Sequence, residues 1–283
     1  MRTAILMALL TALLSLLGDY FGGLQGFQTM LIISIVMNLI VYWNSDKMVL
    51  SQYHAIQVDE KTAPGLYGTV KKLATKAKLP MPKVYIIKSN VPNAFATGRN
   101  PEHAAVAVNT ALAEMLTQEE LEGVLSHELT HVKNRDILIS TVAATMAGMI
   151  TMIARWGMFF GGGRDENGNS RNPIVGILVM ILAPLAAALI QMAVSRSREY
   201  KADEGGGQIS GNPDALADAL EKIDAYAKHI PMQGATEATA HMFIINPLKG
   251  SDIKSLFSTH PSTEERVKLL REQGRKTRGN ARA

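Results

Sequence analysis

Apolar residues in this chain are gathered into four long blocks, and the stretches between them carry the mixed pattern of globular structure. The first block runs from about Thr3 to Gly18 and the second from about Phe27 to Trp43. The third begins directly after Asp136 and runs from Ile137 to about Phe160, and the fourth spans Pro173 to Val194. A helix needs about 20 apolar residues to cross bilayer hydrocarbon, so the blocks predict two membrane hairpins. The first is joined by the short linker Asp19 to Gln28, where Tyr20 and Phe21 suit a membrane interface. A secretory signal peptide is the competing reading for block one. No small-x-small cleavage site follows it and block two comes at once, so the hairpin is preferred. Asn38 lies inside block two and needs a partner on another helix. In the second hairpin, Arg155 can reach the headgroups, Pro184 can kink its helix, and Gly161 to Asn172 forms a polar loop. A buried hairpin that does not fully cross is the alternative for these two blocks.

The intervening segments predict a small α/β unit. Ala63 to Ala77 has the spacing of an amphipathic helix, with Leu66, Val70, Leu73 and Ala74 on one face and Pro80 and Pro82 stopping it. Lys83 to Lys88 reads as a strand, Asn93 to Gly98 as a second and His103 to Val108 as a third. An edge of this sheet could pair with an extended peptide, or simply shield the core. Asn109 is placed to cap a helix through Met115. Thr117-Gln118-Glu119-Glu120 is a capping box. After it, Leu121, Val124, Leu125, Leu129 and Val132 recur at helical spacing and should face a core. Beyond block four a charged helix begins, which Gly205-Gly206-Gly207 should end. Asn212-Pro213 opens a helix over Asp214 to Lys228, whose stripe Leu216, Leu220, Ile223 and Tyr226 should be core. His229 to Gly250 reads as irregular, with His241 and Met242 inside it. Ser262 to Glu265 repeats the capping-box pattern and opens a last helix, and Arg271 to Ala283 reads as a disordered basic tail.

Composition sharpens this picture in three ways. At 283 residues and 47% apolar the chain can bury a sizeable core, and its mean hydropathy of +0.07 is high for a chain with 19% charged residues. Its net charge of +4 is too mild to argue for nucleic acid. It has no cysteine, which excludes disulfides and Cys-type zinc sites and leaves His and carboxylate for any metal. Basic residues also set an orientation. Lys47 to Arg135 holds 11 Lys+Arg and Arg196 to Arg282 holds 14, while Asp19 to Gln28 holds none. Arg2, Lys47, Lys133, Arg135, Arg196 and Arg198, near span ends, all fall on one side of a four-span arrangement. Both termini and the helix of Ser126 to His131 should therefore face the cytoplasm.

The candidate chemistry sits in Ser126-His127-Glu128-Leu129-Thr130-His131. His127 and His131 are four apart, so a helix presents them on one face. Neutral imidazoles bind Zn²⁺, and a neighbouring carboxylate can take a proton from water at the metal. A surface helix rich in Glu and His can match the pattern without binding anything. Such a site needs a third protein ligand. Glu199 lies at the cytoplasmic end of block four and His131 just before block three, so an antiparallel hairpin brings the two ends together. Asp203, one turn on, could then accept from the other nitrogen of a ligand histidine and fix its tautomer. The plainer reading is a solvated helix with i,i+4 pairs among Arg196, Arg198, Glu199, Lys201 and Asp203.

Taken together, these residues resemble the M48 family of zinc metallopeptidases over nearly the whole chain. The resemblance rests on the two amino-terminal spans, Asn93-Ala94-Phe95-Ala96-Thr97-Gly98, His127 to His131, Glu199 to Asp203, and Thr259-His260-Pro261. It implies one zinc per chain held by His127, His131 and Glu199, with Glu128 as general base. It also implies a role in degrading damaged or misfolded membrane proteins at the bilayer. His260 resembles a histidine near the site in that family and is a candidate to stabilise the oxyanion; by its own chemistry it could equally be a structural cap. The expected fold is mainly α and membrane-embedded, with a zincin-type domain containing a small β-sheet. The expected parts are a hairpin over residues 1–46, the first part of the protease domain over 47–136, a second hairpin over 137–194, the second part over 195–272 and a flexible basic tail over 273–283. Competing readings are an intramembrane metalloprotease, a prenyl-protein endopeptidase-like enzyme and a non-catalytic membrane scaffold or chaperone. The polar residues around the motif (Gln118, Glu119, Glu120, Glu122, Lys133, Asn134, Arg135) argue against the first of these.

Overall fold

The chain opens with helix α1 (Arg2–Gln52), which folds back on itself at Gly22 and Gly23, the two residues with non-helical backbone angles. This is a computed structural model, and it describes residues 2–143, 145–146, 196–229, 243–244 and 261–280. Most of the second apolar hairpin lies outside the described residues, with Arg155, Pro184 and the polar loop, as do His241, Met242 and His260.

The reversal in α1 is tighter than the linker expected over Asp19 to Gln28. Gly23 takes φ +56°, a left-handed value that favours glycine. Gly18 and Gly26 face each other across the turn, where a Cβ on either would strike the other's carbonyl. Small residues at that crossing let the two arms pack backbone to backbone. Asn38 Nδ2 donates to Met7 O at 3.2 Å and to Thr11 Oγ1 at 2.8 Å on the other arm, the partner its sequence position required. The second arm then runs past residue 46 to Gln52, carrying Val49 and Leu50 onto the sheet.

Four strands form one sheet in the order β1 (Ile56–Val58), β2 (Lys83–Ile87), β4 (Ala104–Asn109), β3 (Ala94–Gly98). β1 pairs antiparallel with β2, β2 parallel with β4, and β3 antiparallel with β4. The three-residue β1 was not legible in the sequence because so short a run shows no periodicity. In β4, Ala104, Val106 and Val108 face the main core, while Ala105 and Ala107 face Val49, Leu50 and Phe95. This central strand is therefore buried on both sides.

Helix α2 (Pro64–Ala77) ends at Lys78, in the left-handed conformation at φ 59°. Leu79 N bonds to Ala74 O and Lys78 N to Thr75 O, a Schellman cap, so the helix stops before Pro80. Helix α3 (Thr110–Met115) follows Asn109, whose side chain does not cap it: Asn109 Nδ2 donates to Val91 O instead. Helix α4 (Gln118–Lys133) starts from the full capping box of Thr117 and Glu120, worth about 1 kcal/mol. Its Leu121, Val124, Leu125, Leu129 and Val132 are all core.

Two expectations for the carboxyl-terminal half are corrected. The glycine triplet does not end a helix: α5 (Arg196–Ser210) runs straight through it. The glycines instead let α5 approach α4 closely. A Cβ on Gly206 would lie 2.9 Å from His127 N and 3.0 Å from His127 Cα, and one on Gly205 would strike Thr130. After α6 (Pro213–His229), with Leu216, Leu220 and Ile223 in the core, the last helix α7 runs over Thr263–Asn280. The tail expected from Arg271 is thus helical through Asn280. Arg271 reaches Asp214, Asp218 and Glu221 on α6, Arg278 also pairs with Asp214, and Gly274 packs against Asp214. The described residues are mostly helical around one small sheet.

Candidate metal centre

α4 and α5 lie against each other and present their polar residues to one another. His127 Nε2 and His131 Nε2 are 3.2 Å apart on successive turns of α4. From α5, Glu199 Oε2 lies 3.7 Å from His127 Nε2, and Glu199 Oε1 lies 3.6 Å from His131 Nε2. Tetrahedral ligands about 2.0–2.1 Å from zinc stand about 3.3 Å from one another, so this spacing fits a single ion. One ligand atom from each residue lies within 4.8 Å of the others, and this is the group able to hold a metal ion among the described residues.

The field at the group favours positive charge. Burial opposes charge on His131, yet Asp136 at Nδ1, with Glu199 and Glu128, outweighs it and pushes its pKa up to about 9. A dication answers the same field. Glu128 is buried beside the ligands, and its Oε2 accepts from Ala96 N at 2.9 Å. Burial, with the nearby Glu199 charge, raises its pKa against the lowering by His127, His131 and the Ala96 amide.

Each imidazole also has an aspartate behind it. Asp203 Oδ1 lies 2.9 Å from His127 Nδ1, short enough to pair though not in line with the ring N–H. Asp136 Oδ2 lies 3.5 Å from His131 Nδ1. Asp136 is aimed there by the end of α4: Arg135 takes φ 59°, Arg135 N bonds to Val132 O and Asp136 N to His131 O. This Schellman turn folds the chain back over the last helical turn.

Residues 60–273 match the model for peptidase family M48. The chain belongs to that family. A protein named Protease HtpX homolog from Burkholderia mallei (strain SAVP1) is 58% identical over 276 residues, covering 97% of this chain and 96% of that protein. A protein of the same name from Burkholderia pseudomallei (strain K96243) matches with the same identity and coverage. Among solved structures, the crystal structure of S. mikatae Ste24p matches with a TM-score of 0.51 at 17% identity. It covers 95% of this chain and 65% of that one, a likeness of fold.

Membership of a metalloprotease family implies a metal, and the sequence-derived ligands His127, His131 and Glu199 are brought together as that requires. Glu128 is buried next to this group and Asp203 lies 2.9 Å from His127 Nδ1, while His260 lies outside the described residues. Sequence reasoning missed three participants. Asp136 was visible only as a span boundary, because the left-handed turn before it falls on Arg135 rather than on a glycine or asparagine that would have marked it. Ala96 acts through its backbone, which no side-chain pattern records. Arg266 sits at a core position of α7, whose buried face is Arg266, Leu270 and Gly274. An arginine on an apolar stripe was the available signal.

Proposed function

We propose that this M48 peptidase is a zinc-dependent endopeptidase in the cell (inner) membrane, its site facing the cytoplasm, that hydrolyses unfolded or misfolded membrane proteins. The observation that carries the reading is the convergence of His127, His131 and Glu199 beside the buried Glu128. Those three side chains would hold one zinc per chain. When bound, the ion supplies Lewis acidity toward water and toward the scissile carbonyl. Glu128 takes the proton of the attacking water and passes it to the leaving amine nitrogen. A pKa raised by burial suits a group that must hold that proton between the two steps. Asp203 stands 2.9 Å from His127 Nδ1, so its charge favours the ring orientation that turns Nε2 toward the site. β3 is an edge strand whose Ala96 amide already grips Glu128, so a peptide laid along this edge arrives beside the base. His260 is assigned to the oxyanion on the family resemblance.

The membrane placement is supported by Gly22–Gln52, a helix long and apolar enough to cross a bilayer. Ile32, Ile33, Ile35, Val36, Leu39, Ile40 and Trp43 are exposed along it. The quality-control role rests on the family resemblance, and the cytoplasmic orientation on the basic residues at the span ends.

The test pairs metal content with proteolysis. Wild type and Glu128→Gln are purified in detergent with chelator, reloaded with zinc and given casein. About one zinc per chain in both, with cleavage in wild type alone, is expected. Equal cleavage by the two proteins, or no bound zinc in wild type, removes the assignment and favours the scaffold reading.

A further inference from the structure

Arg266 is a buried cation that the proposed chemistry leaves without a task. It is 1% exposed. Its Nε donates to Asp203 Oδ2 at 2.7 Å, its Nη2 to Asp203 Oδ1 at 2.7 Å and its Nη1 to the Ile244 carbonyl at 2.7 Å. Asp203 Oδ1 in turn lies 2.9 Å from His127 Nδ1. An unbroken run of polar contacts therefore leads from α7 to the imidazole whose Nε2 faces Glu199.

A leucine at this position would complete the apolar face of α7 without taking a charge out of water. The guanidinium does something a leucine cannot. Its planar fork holds both oxygens of Asp203 in one orientation, and a carboxylate so held fixes the ring it faces. Asp203 and Glu199 share α5, so the same contact also ties α7 to the helix that carries the third ligand.

We propose that Arg266 is a positioning residue of the metal centre: it locks Asp203, and through it His127, so that metal binding and the docking of α7 are coupled. This rests on His127, His131 and Glu199 being metal ligands. Coupling of this kind is reciprocal. Metal tightens α7 against α5, and loss of the fork weakens metal binding.

The test uses full-length protein in detergent. Wild type, Arg266→Lys and Lys222→Met are titrated with zinc against a chelator, and with Co²⁺ followed by visible absorption. Lysine keeps the charge but cannot grip two oxygens at once. Lys222 pairs with Glu120 near the start of α4, away from the site, and controls for general loss of stability. Arg266→Lys should bind zinc about 10- to 100-fold more weakly and shift the cobalt bands, while Lys222→Met matches wild type. In wild type, zinc should slow proteolysis of residues 263–280. Zinc affinity within twofold of wild type and unshifted cobalt bands in Arg266→Lys overturn the proposal, as does an equal loss in Lys222→Met. Should Arg266→Lys misfold, the wild-type protection decides, and its absence overturns the coupling. If wild type binds one zinc and Arg266→Lys binds it as tightly, only this inference falls; if wild type binds none, the ligand assignment falls with it.

Discussion

A buried carboxylate that must accept a proton burdens the fold that holds it. Burial raises the pKa of Glu128 against the partial relief of two imidazoles and the Ala96 amide. An unfolded glutamate titrates at about 4.3. Between that value and the higher folded one, the native state binds more protons than the unfolded chain, so stability falls as pH rises through the window. Glu128→Gln removes this effect while keeping the acceptor for Ala96 N. In chelated protein, Glu128→Gln should therefore be more stable than wild type at pH 8, with the difference shrinking toward pH 4. Thermal unfolding at the two pH values checks this, and a pH-independent difference would contradict it.

At the scale of elements, the junction of α4 with α5 decides whether a site exists at all. Neither helix alone can hold a metal: α4 brings two nitrogens and α5 brings the carboxylate. They meet because Gly205 and Gly206 leave no Cβ between the backbones. Gly206→Ala places a methyl against the His127 backbone and should cost roughly 1–3 kcal/mol, as overpacking does, with weaker zinc binding. Gly68 on α2 is the contrasting case, since nothing lies within 4 Å of the Cβ it lacks. Gly68→Ala should stabilise by up to about 1 kcal/mol, the helix-propensity difference, and leave zinc affinity alone. Denaturation and chelator competition on the two variants read both effects, and similar behaviour of the pair would sink the close-approach argument.

For the whole molecule, the proposed orientation puts the site and the tip of the amino-terminal hairpin on opposite sides of the bilayer. The tight reversal at Gly22 and Gly23 puts Gln25 at the far end of the amino-terminal hairpin, while Lys201 sits on α5 beside the site. Because the chain has no cysteine, single cysteines report topology without a background. Gln25→Cys should react with an impermeant maleimide in sealed spheroplasts, and Lys201→Cys only after lysis. The reverse pattern would overturn the cytoplasmic placement, and labelling of both in sealed cells would overturn the membrane-spanning hairpin.

What the sequence determined by itself is what lies within one helix or one turn. The 3.6-residue repeat sets His127 beside His131, the capping box starts α4, and a polar Asn38 in an apolar run demands a partner. Each is a matter of neighbours a few residues apart, where chain geometry leaves little freedom. Two local readings failed where packing outweighed propensity. The glycine triplet stayed helical because α4 stands against it, and the basic tail became helix because Arg271 and Arg278 found the acids of α6. Tertiary structure alone decided the rest: β4 between β2 and β3, the Ala96 amide on Glu128, and Arg266 on Asp203 across 63 residues of chain. Contacts so distant in sequence are set by which surfaces bury each other, and that sum over the whole core leaves no periodic trace in the order of residues.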